Sequence, residues 1–136
     1  MPIPLVEQVK AAKRVFIIGN GGSYANAMHI ANDLLACGIP AFTLDPASMA
    51  ASANDYGWET VFSRWIAVVG RRGDLLIALS GSGKSPNILK AISTGVDLGM
   101  TIYRIFGNER GEDMQQAEVA QLRIGHEVMR ALRESR

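Results

Sequence analysis

Cysteine, net charge, long apolar runs and internal repetition are all scarce in this 136-residue chain. The one cysteine, Cys37, cannot close an internal disulfide. That fits a reducing compartment, and a lone thiol more often belongs to a core than to a nucleophile. A net charge of +1 leaves no broad basic surface, so neither nucleic acid nor a membrane is expected as a partner. No apolar run approaches the roughly 20 residues of a membrane span. The opening stretch MPIPLVEQVKAAK lacks the apolar segment of a signal peptide, so a cytoplasmic location is expected. No linker or low-complexity tract interrupts the chain, and its length suits one domain over residues 1–136. The composition that remains, 48% hydrophobic and 20% charged, is that of an ordinary globular core and surface.

Strand-like and helix-like segments alternate. RVFIIG (14–19), PAFTL (40–44), DLLIALS (74–80) and MTIYRIF (100–106) are short apolar runs without strict alternation, as expected of parallel strands covered on both faces. Helix-length segments lie at about 23–37, 59–70, 86–98 and 113–134, and Pro2–Lys13 can add a short leading helix. FGNERGED (106–113) reads as a polar loop. This rhythm predicts an α/β fold, a three-layer αβα sandwich around a mainly parallel sheet of four to five strands.

Ligands of open parallel sheets gather where strands end and helices begin. Two such places are rich in small residues: GNGGS (19–23) and SGSGKS (80–85). Glycines allow a tight turn and close approach, and the next helix presents free N–H groups and its positive end. Serine hydroxyls add donors and Lys84 a charge, so a phosphate dianion fits both loops. Tight turns and helix caps without any ligand are the alternative. A dinucleotide fingerprint is incomplete, because Tyr24 stands where the third glycine belongs, although Asp45 imitates the ribose-binding acid. A nucleotide P-loop is also incomplete, with Ala78 in place of its first glycine. No nucleotide cofactor is expected.

GNGGS-x5-H-x3-D, then ANDYGWETVFSRW (53–65), GDLLIALSGSGKSPNILKAI (73–92) and LRIGHEVMRAL (122–132) together resemble the sugar isomerase (SIS) domain family, and within it the phosphoheptose isomerases. The likeness runs in order from about residue 14 to 132. It implies a flavodoxin- or Rossmann-like sheet and isomerisation of sedoheptulose 7-phosphate to a glycero-manno-heptose 7-phosphate. It also implies a homo-oligomer, dimer or tetramer, with sites at subunit interfaces. By this resemblance Asn20, Gly21, Gly22 and Ser23 form the first substrate-binding turn, and Ser80, Gly81, Ser82 and Ser85 the phosphate loop. Asn54 and Asp55 contact the sugar. Asp33 and His126 are the catalytic pair. Glu118 stands where the family places a glutamine that binds substrate and metal, and His29, Asp33, Glu118 and His126 are the candidate ligands of a metal, zinc in the first place. The pattern departs from the family at Asp33 (glutamate there), Cys37 (arginine), Gln115 (an acidic residue) and Lys84 (asparagine).

The chemistry is coherent with these residues. Moving a proton between neighbouring sugar carbons through an enediol needs a base at carbon, an acid at oxygen and a firmly held distal phosphate. His29 and Asp33, at i and i+4, share one helix face, although such a pair is also a common surface contact. Nitrogen and oxygen donors suit zinc. Glu118 and His126, however, lie eight residues apart, about 12 Å along a straight helix. A different class remains open: a non-catalytic SIS module that binds a sugar phosphate or a protein, such as a regulator of replication initiation. That module would need the serine loop but not Asp33 and His126. Nucleotide binding through GSGKS is a third option and predicts stabilisation by ATP.

Overall fold

Val15, Phe16, Ile17 and Ile18 are buried without a break, and this decides the architecture. Successive side chains of a strand point to opposite faces. Val15 and Ile17 therefore join one core, Phe16 and Ile18 another. The structure is a computed structural model that describes residues 3–135. Its strands are β1 (Val15–Ile18), β2 (Ala41–Phe42), β3 (Leu75–Ser80) and β4 (Thr101–Phe106), all parallel, in the order β2-β1-β3-β4. The helices are α1 (Leu5–Ala11), α2 (Gly22–Ala36), α3 (Pro46–Tyr56), α4 (Val61–Val69), α5 (Pro86–Asp97) and α6 (Met114–Glu134). Leu75, Ile77 and Leu79 pack with α1, α2 and α6 on one face, while Leu76 and Ala78 pack with α4 and α5 on the other. The three-layer reading holds, with four strands.

Several segments differ from the expectation. PAFTL yields only the two residues of β2, an edge strand paired on one side. The segment after it was not recognised as helical, yet it forms α3. Asp45 caps that helix by accepting the Ser48 N–H at 2.9 Å, and Pro46 sits in its first turn, where no N–H is needed. Helix α3 fully buries none of its residues and lays only Met49 and Ala53 partly on the core, so its apolar stripe is too narrow to announce it. Residues 59–70 divide into a 3-10 turn, Trp58–Thr60, and α4. The polar loop contains a 3-10 turn at Gly107–Arg110. The leading helix shrinks to α1; Pro2, from which it was drawn, lies outside the described residues, as do Met1 and Arg136 of the 1–136 domain.

At the end of the sheet where the strands begin, Arg14 grips Asp74. Its Nη2 reaches Oδ2 at 2.7 Å and its Nε reaches Oδ1 at 3.3 Å. The same Nη2 donates to the Val69 carbonyl at 2.8 Å, and the Arg71 N–H completes the shell of the buried carboxylate at 2.9 Å. Cys37 is buried, with Sγ 4.0 Å from the Met129 carbonyl, as a core thiol should be.

Candidate active site

The opposite end of the sheet carries the two small-residue loops. Immediately after β1 the chain doubles back so closely that a Cβ on Gly19 would meet the backbone of Ser23 at 2.7 Å. Gly21 then caps α2 at φ +55, a region that side chains other than glycine rarely enter. No side chain caps the helix; the Ser23 N–H is taken by the Asn20 carbonyl at 2.9 Å, and the positive end of the helix is left open to a ligand. After β3, the Ser80 hydroxyl oxygen accepts the Gly83 N–H at 3.0 Å and that of Ser82 accepts the Lys84 N–H at 3.1 Å. Each of these hydroxyls keeps its own proton to donate. The Ser85 hydroxyl makes no cap to α5, and Pro86 opens the helix.

Because β1 and β3 are neighbours, these loops lie side by side. A reciprocal amide pair joins them. Asn20 Nδ2 donates to Asn87 Oδ1 at 2.8 Å, and Asn87 Nδ2 donates to Asn20 Oδ1 at 2.9 Å. One donor and one acceptor position of the Asn20 amide stay free. Together with Met114, the residues Asn20, Ser23, Ser80, Gly81, Ser82 and Ser85 line a cleft of about 50 Å³. Larger open grooves exist, including one of about 500 Å³ beside Gln115 and Arg123, but they contain none of these loop residues. Hydroxyls, helix N-termini and glycines converge in the small cleft, so its chemistry, rather than its size, suits an anion.

Further along α2, His29, Asp33 and His126 meet. His29 Nε2 and Asp33 Oδ2 are 3.3 Å apart, His126 Nε2 and Asp33 Oδ2 3.8 Å, and the two imidazole nitrogens 3.3 Å. Asp33 Oδ2 is buried, yet neither imidazole is aligned to hydrogen-bond with it, so it has no such partner. These three atoms form a triangle with room for a shared cation. A tetrahedral ion with bonds of about 2.0–2.1 Å has ligand–ligand edges of about 3.3 Å, so the donor set fits zinc geometry and leaves a fourth position open.

Not every expected residue joins these clusters. Glu118 is absent from the triangle. Its carboxylate lies against Gly22, where a Cβ would collide with it, because eight residues of α6 separate it from His126. A four-ligand site including Glu118 is therefore corrected to His29, Asp33 and His126. Gly22 itself faces Glu118 and does not line the cleft. Asn54 and Asp55 sit on exposed α3, bonded to one another at 3.1 Å, and the cleft does not include them. Helix α3 leaves the sheet beyond its β2 edge and packs mainly on α4 and the Trp58–Thr60 turn. Asp45, weighed above as a ribose-binding acid, is the cap of α3; hydrogen bonding to Ser48 holds its carboxyl below the usual carboxylate value. Burial, and secondarily the charge of Asp45, raises the Tyr24 hydroxyl above its ordinary value, and that hydroxyl donates to the Leu44 carbonyl at 2.5 Å.

Sequence reasoning overlooked Asn87, Met114 and Gln121. Asn87 and Gln121 are polar residues at fully buried helix positions, and a polar interruption of an apolar stripe was the available signal. Met114 gave none: it is exposed, at the start of α6, with its thioether over Gly81.

Residues 4–107 match the SIS domain family. The chain belongs to that family. It is similar to the phosphoheptose isomerase of Sodalis glossinidius (strain morsitans), 37% identical over 129 residues that cover 90% of this chain and 66% of the relative. The chain thus spans about two thirds of the length of the curated relatives it matches. Among solved structures, the phosphoheptose isomerase of Neisseria gonorrhoeae superposes with a TM-score of 0.85 at 22% identity, over 96% of this chain and 81% of that one. That of Francisella tularensis gives 0.82 at 25% identity, over 96% and 85%. The four-stranded parallel sheet between helical layers is thus the SIS fold. Among the described residues of this SIS domain, no helix is long and apolar enough to cross a membrane.

Proposed function

We propose that this SIS domain is a phosphosugar aldose–ketose isomerase that interconverts sedoheptulose 7-phosphate and a glycero-manno-heptose 7-phosphate. One observation carries the reading: a phosphate-sized cleft and a His–Asp–His cluster stand at two points along one helix. His29 is seven residues beyond Gly22, about 10 Å along the axis. A distal phosphate in the cleft thus leaves the carbonyl end of an extended sugar near Asp33 and His126.

The phosphate is held by the hydroxyls of Ser23, Ser80, Ser82 and Ser85 and by the positive ends of α2 and α5, with Gly21 and Gly81 allowing the approach. Asp33 removes the proton from the carbon beside the carbonyl while His126 gives a proton to the carbonyl oxygen, and the product is an enediol. Asp33 then returns the proton to the former carbonyl carbon as His126 takes one from the hydroxyl of the carbon first deprotonated, which becomes the aldehyde. Glu118, on α6 with its carboxylate against Gly22 of α2, accepts from a sugar hydroxyl in this reading. His29 and His126 through Nε2 and Asp33 through Oδ2 would hold a divalent cation, zinc by geometry, leaving Asp33 Oδ1 and His126 Nδ1 for the proton transfers. Such an ion supplies stabilisation of negative charge on the sugar oxygens. Asn54 and Asp55 enter the reading through a homo-oligomer, dimer or tetramer, in which a second copy covers α3. The exposed Tyr56 and Trp58 beside them support such a contact.

The purified protein, mixed with sedoheptulose 7-phosphate, should yield an aldose phosphate. Ser82→Glu, which places a carboxylate against the ester, should raise KM at least about tenfold, since like charges and a lost donor act together. An unchanged KM would remove the serine loop from the site. Metal analysis supplies an independent check. About one zinc per chain should co-purify, disappear with chelator and be missing from His29→Ala, and equal metal content in the two proteins would reject the cluster as its site.

A further inference from the structure

Gln121 is wholly buried, 0% exposed, in the middle of α6, and both ends of its amide are used. Its Nε2 donates to Ser23 Oγ at 3.0 Å, and its Oε1 accepts from Asn26 Nδ2 at 2.9 Å. Asn26 Nδ2 also donates to the Glu118 backbone carbonyl at 2.9 Å. That last contact anchors the whole chain, because a backbone carbonyl can only accept. Asn26 must therefore present its NH2 group to α6. Facing that NH2, Gln121 must present its oxygen to Asn26 and its own NH2 to Ser23. Reversing either amide would set two acceptors, or two donors, against each other at about 2.9 Å, an unfavourable arrangement in a buried site.

The consequence reaches the cleft. With its oxygen already accepting from Gln121, the Ser23 hydroxyl is turned so that its single proton is available to the cleft it lines with Ser80, Gly81 and Ser82. We infer that Gln121 is a positioning residue for substrate: through a one-way series of hydrogen bonds it holds Ser23 as a donor to the phosphate ester. The inference rests on the functional reading above and deepens it, since it explains why a buried glutamine is kept where an apolar residue would otherwise continue the core.

Gln121→Glu tests this with little change of shape. At a pH high enough to ionise it in this buried position, the carboxylate still accepts from Asn26 but can no longer donate to Ser23, so it takes the Ser23 proton for itself and reverses the series. Affinity for inorganic phosphate and for sedoheptulose 7-phosphate, measured by calorimetry, should fall about ten- to a hundredfold, the effect of losing one hydrogen bond to a charged group. KM should rise in step while kcat changes by less than about twofold, because the ester takes no part in the proton transfers. The distinguishing readout is coupling. Ser23→Ala combined with Gln121→Glu should bind phosphate as Ser23→Ala alone does, within about twofold. Gln121→Met, of similar volume and uncharged, provides the same coupling test if the buried carboxylate prevents folding. Multiplying losses in the double variants, or unchanged phosphate affinity in Gln121→Glu, would overturn the inference while leaving the isomerase reading intact. If the unaltered protein bound neither phosphate nor the sugar phosphate, the functional reading itself would fall and this inference with it.

Discussion

Asp33→Asn and His126→Ala should each lower turnover of sedoheptulose 7-phosphate by about a hundredfold to ten thousandfold, the range that a positioned acid or base contributes. Binding should persist, because the phosphate cleft is lined by neither residue. Steady-state kinetics with the intact substrate, beside calorimetric titration of the inactive variants, separates the two quantities. The expectation has a firm geometric basis. Asp33 and His126 come from different helices and lie 93 positions apart in the chain, yet their Oδ2 and Nε2 atoms approach to 3.8 Å. The Asp33 oxygen concerned is buried without a hydrogen-bond partner, an arrangement disfavoured unless a ligand supplies one. Asparagine keeps the shape of this side chain and removes its basicity, so a fold change is not expected to confuse the result. Undiminished turnover in either variant would show that the proton moves by another route.

The second large effect concerns stability. Arg14→Met should destabilise the fold by about 3 kcal/mol, near the lower end of the cost of breaking a buried ion pair, because 37% of the Arg14 side chain is in contact with water. Asp74 would be left in the interior, 1% exposed, with the Arg71 N–H as its remaining partner. For a chain of this size the loss corresponds to a fall of roughly 10 °C in Tm. Replacing both residues, Arg14→Met with Asp74→Leu, should recover much of it, since an apolar pair can replace a buried ionic one. Denaturant melts of the two variants measure this directly. A single variant as stable as the unaltered protein would mean that the pair contributes little. Because the pair lies at the end of the sheet remote from the cleft, phosphate affinity should be unaffected at temperatures where the variant is folded.

The sheet was legible because burial on both faces leaves a plain mark on sequence. VFII and LLIALS have no polar break, and only a central parallel strand tolerates that. The two glycine- and serine-rich loops were legible for a related reason: a chain that turns from strand to helix within three to five residues favours small side chains. Helix α3 was not, because only Met49 and Ala53 pack partly on the core, too little for periodicity to detect; its signal was the Asp45-Pro46 start, which was weighed instead as part of a nucleotide site. The meeting of His29 and Asp33 followed from their spacing of four, whereas the approach of His126 depends on how α2 packs against α6, which no local pattern encodes. Glu118 was misplaced for the converse reason. Sharing a helix with His126 says little about sharing an ion when two turns intervene. Gln121 and Asn87 act through other side chains, and such roles become visible only once the partners are in place.

The paired amides of Asn20 and Asn87 have a consequence beyond geometry. They fasten the bend after β1 to the helix after β3, so the shape of the cleft is held by the protein itself. A ligand of that shape would require little further ordering, and more of its contact energy would appear as affinity. Alteration is correspondingly constrained: a change that re-aims one bend drags the other with it, so the two halves of the grip must evolve together.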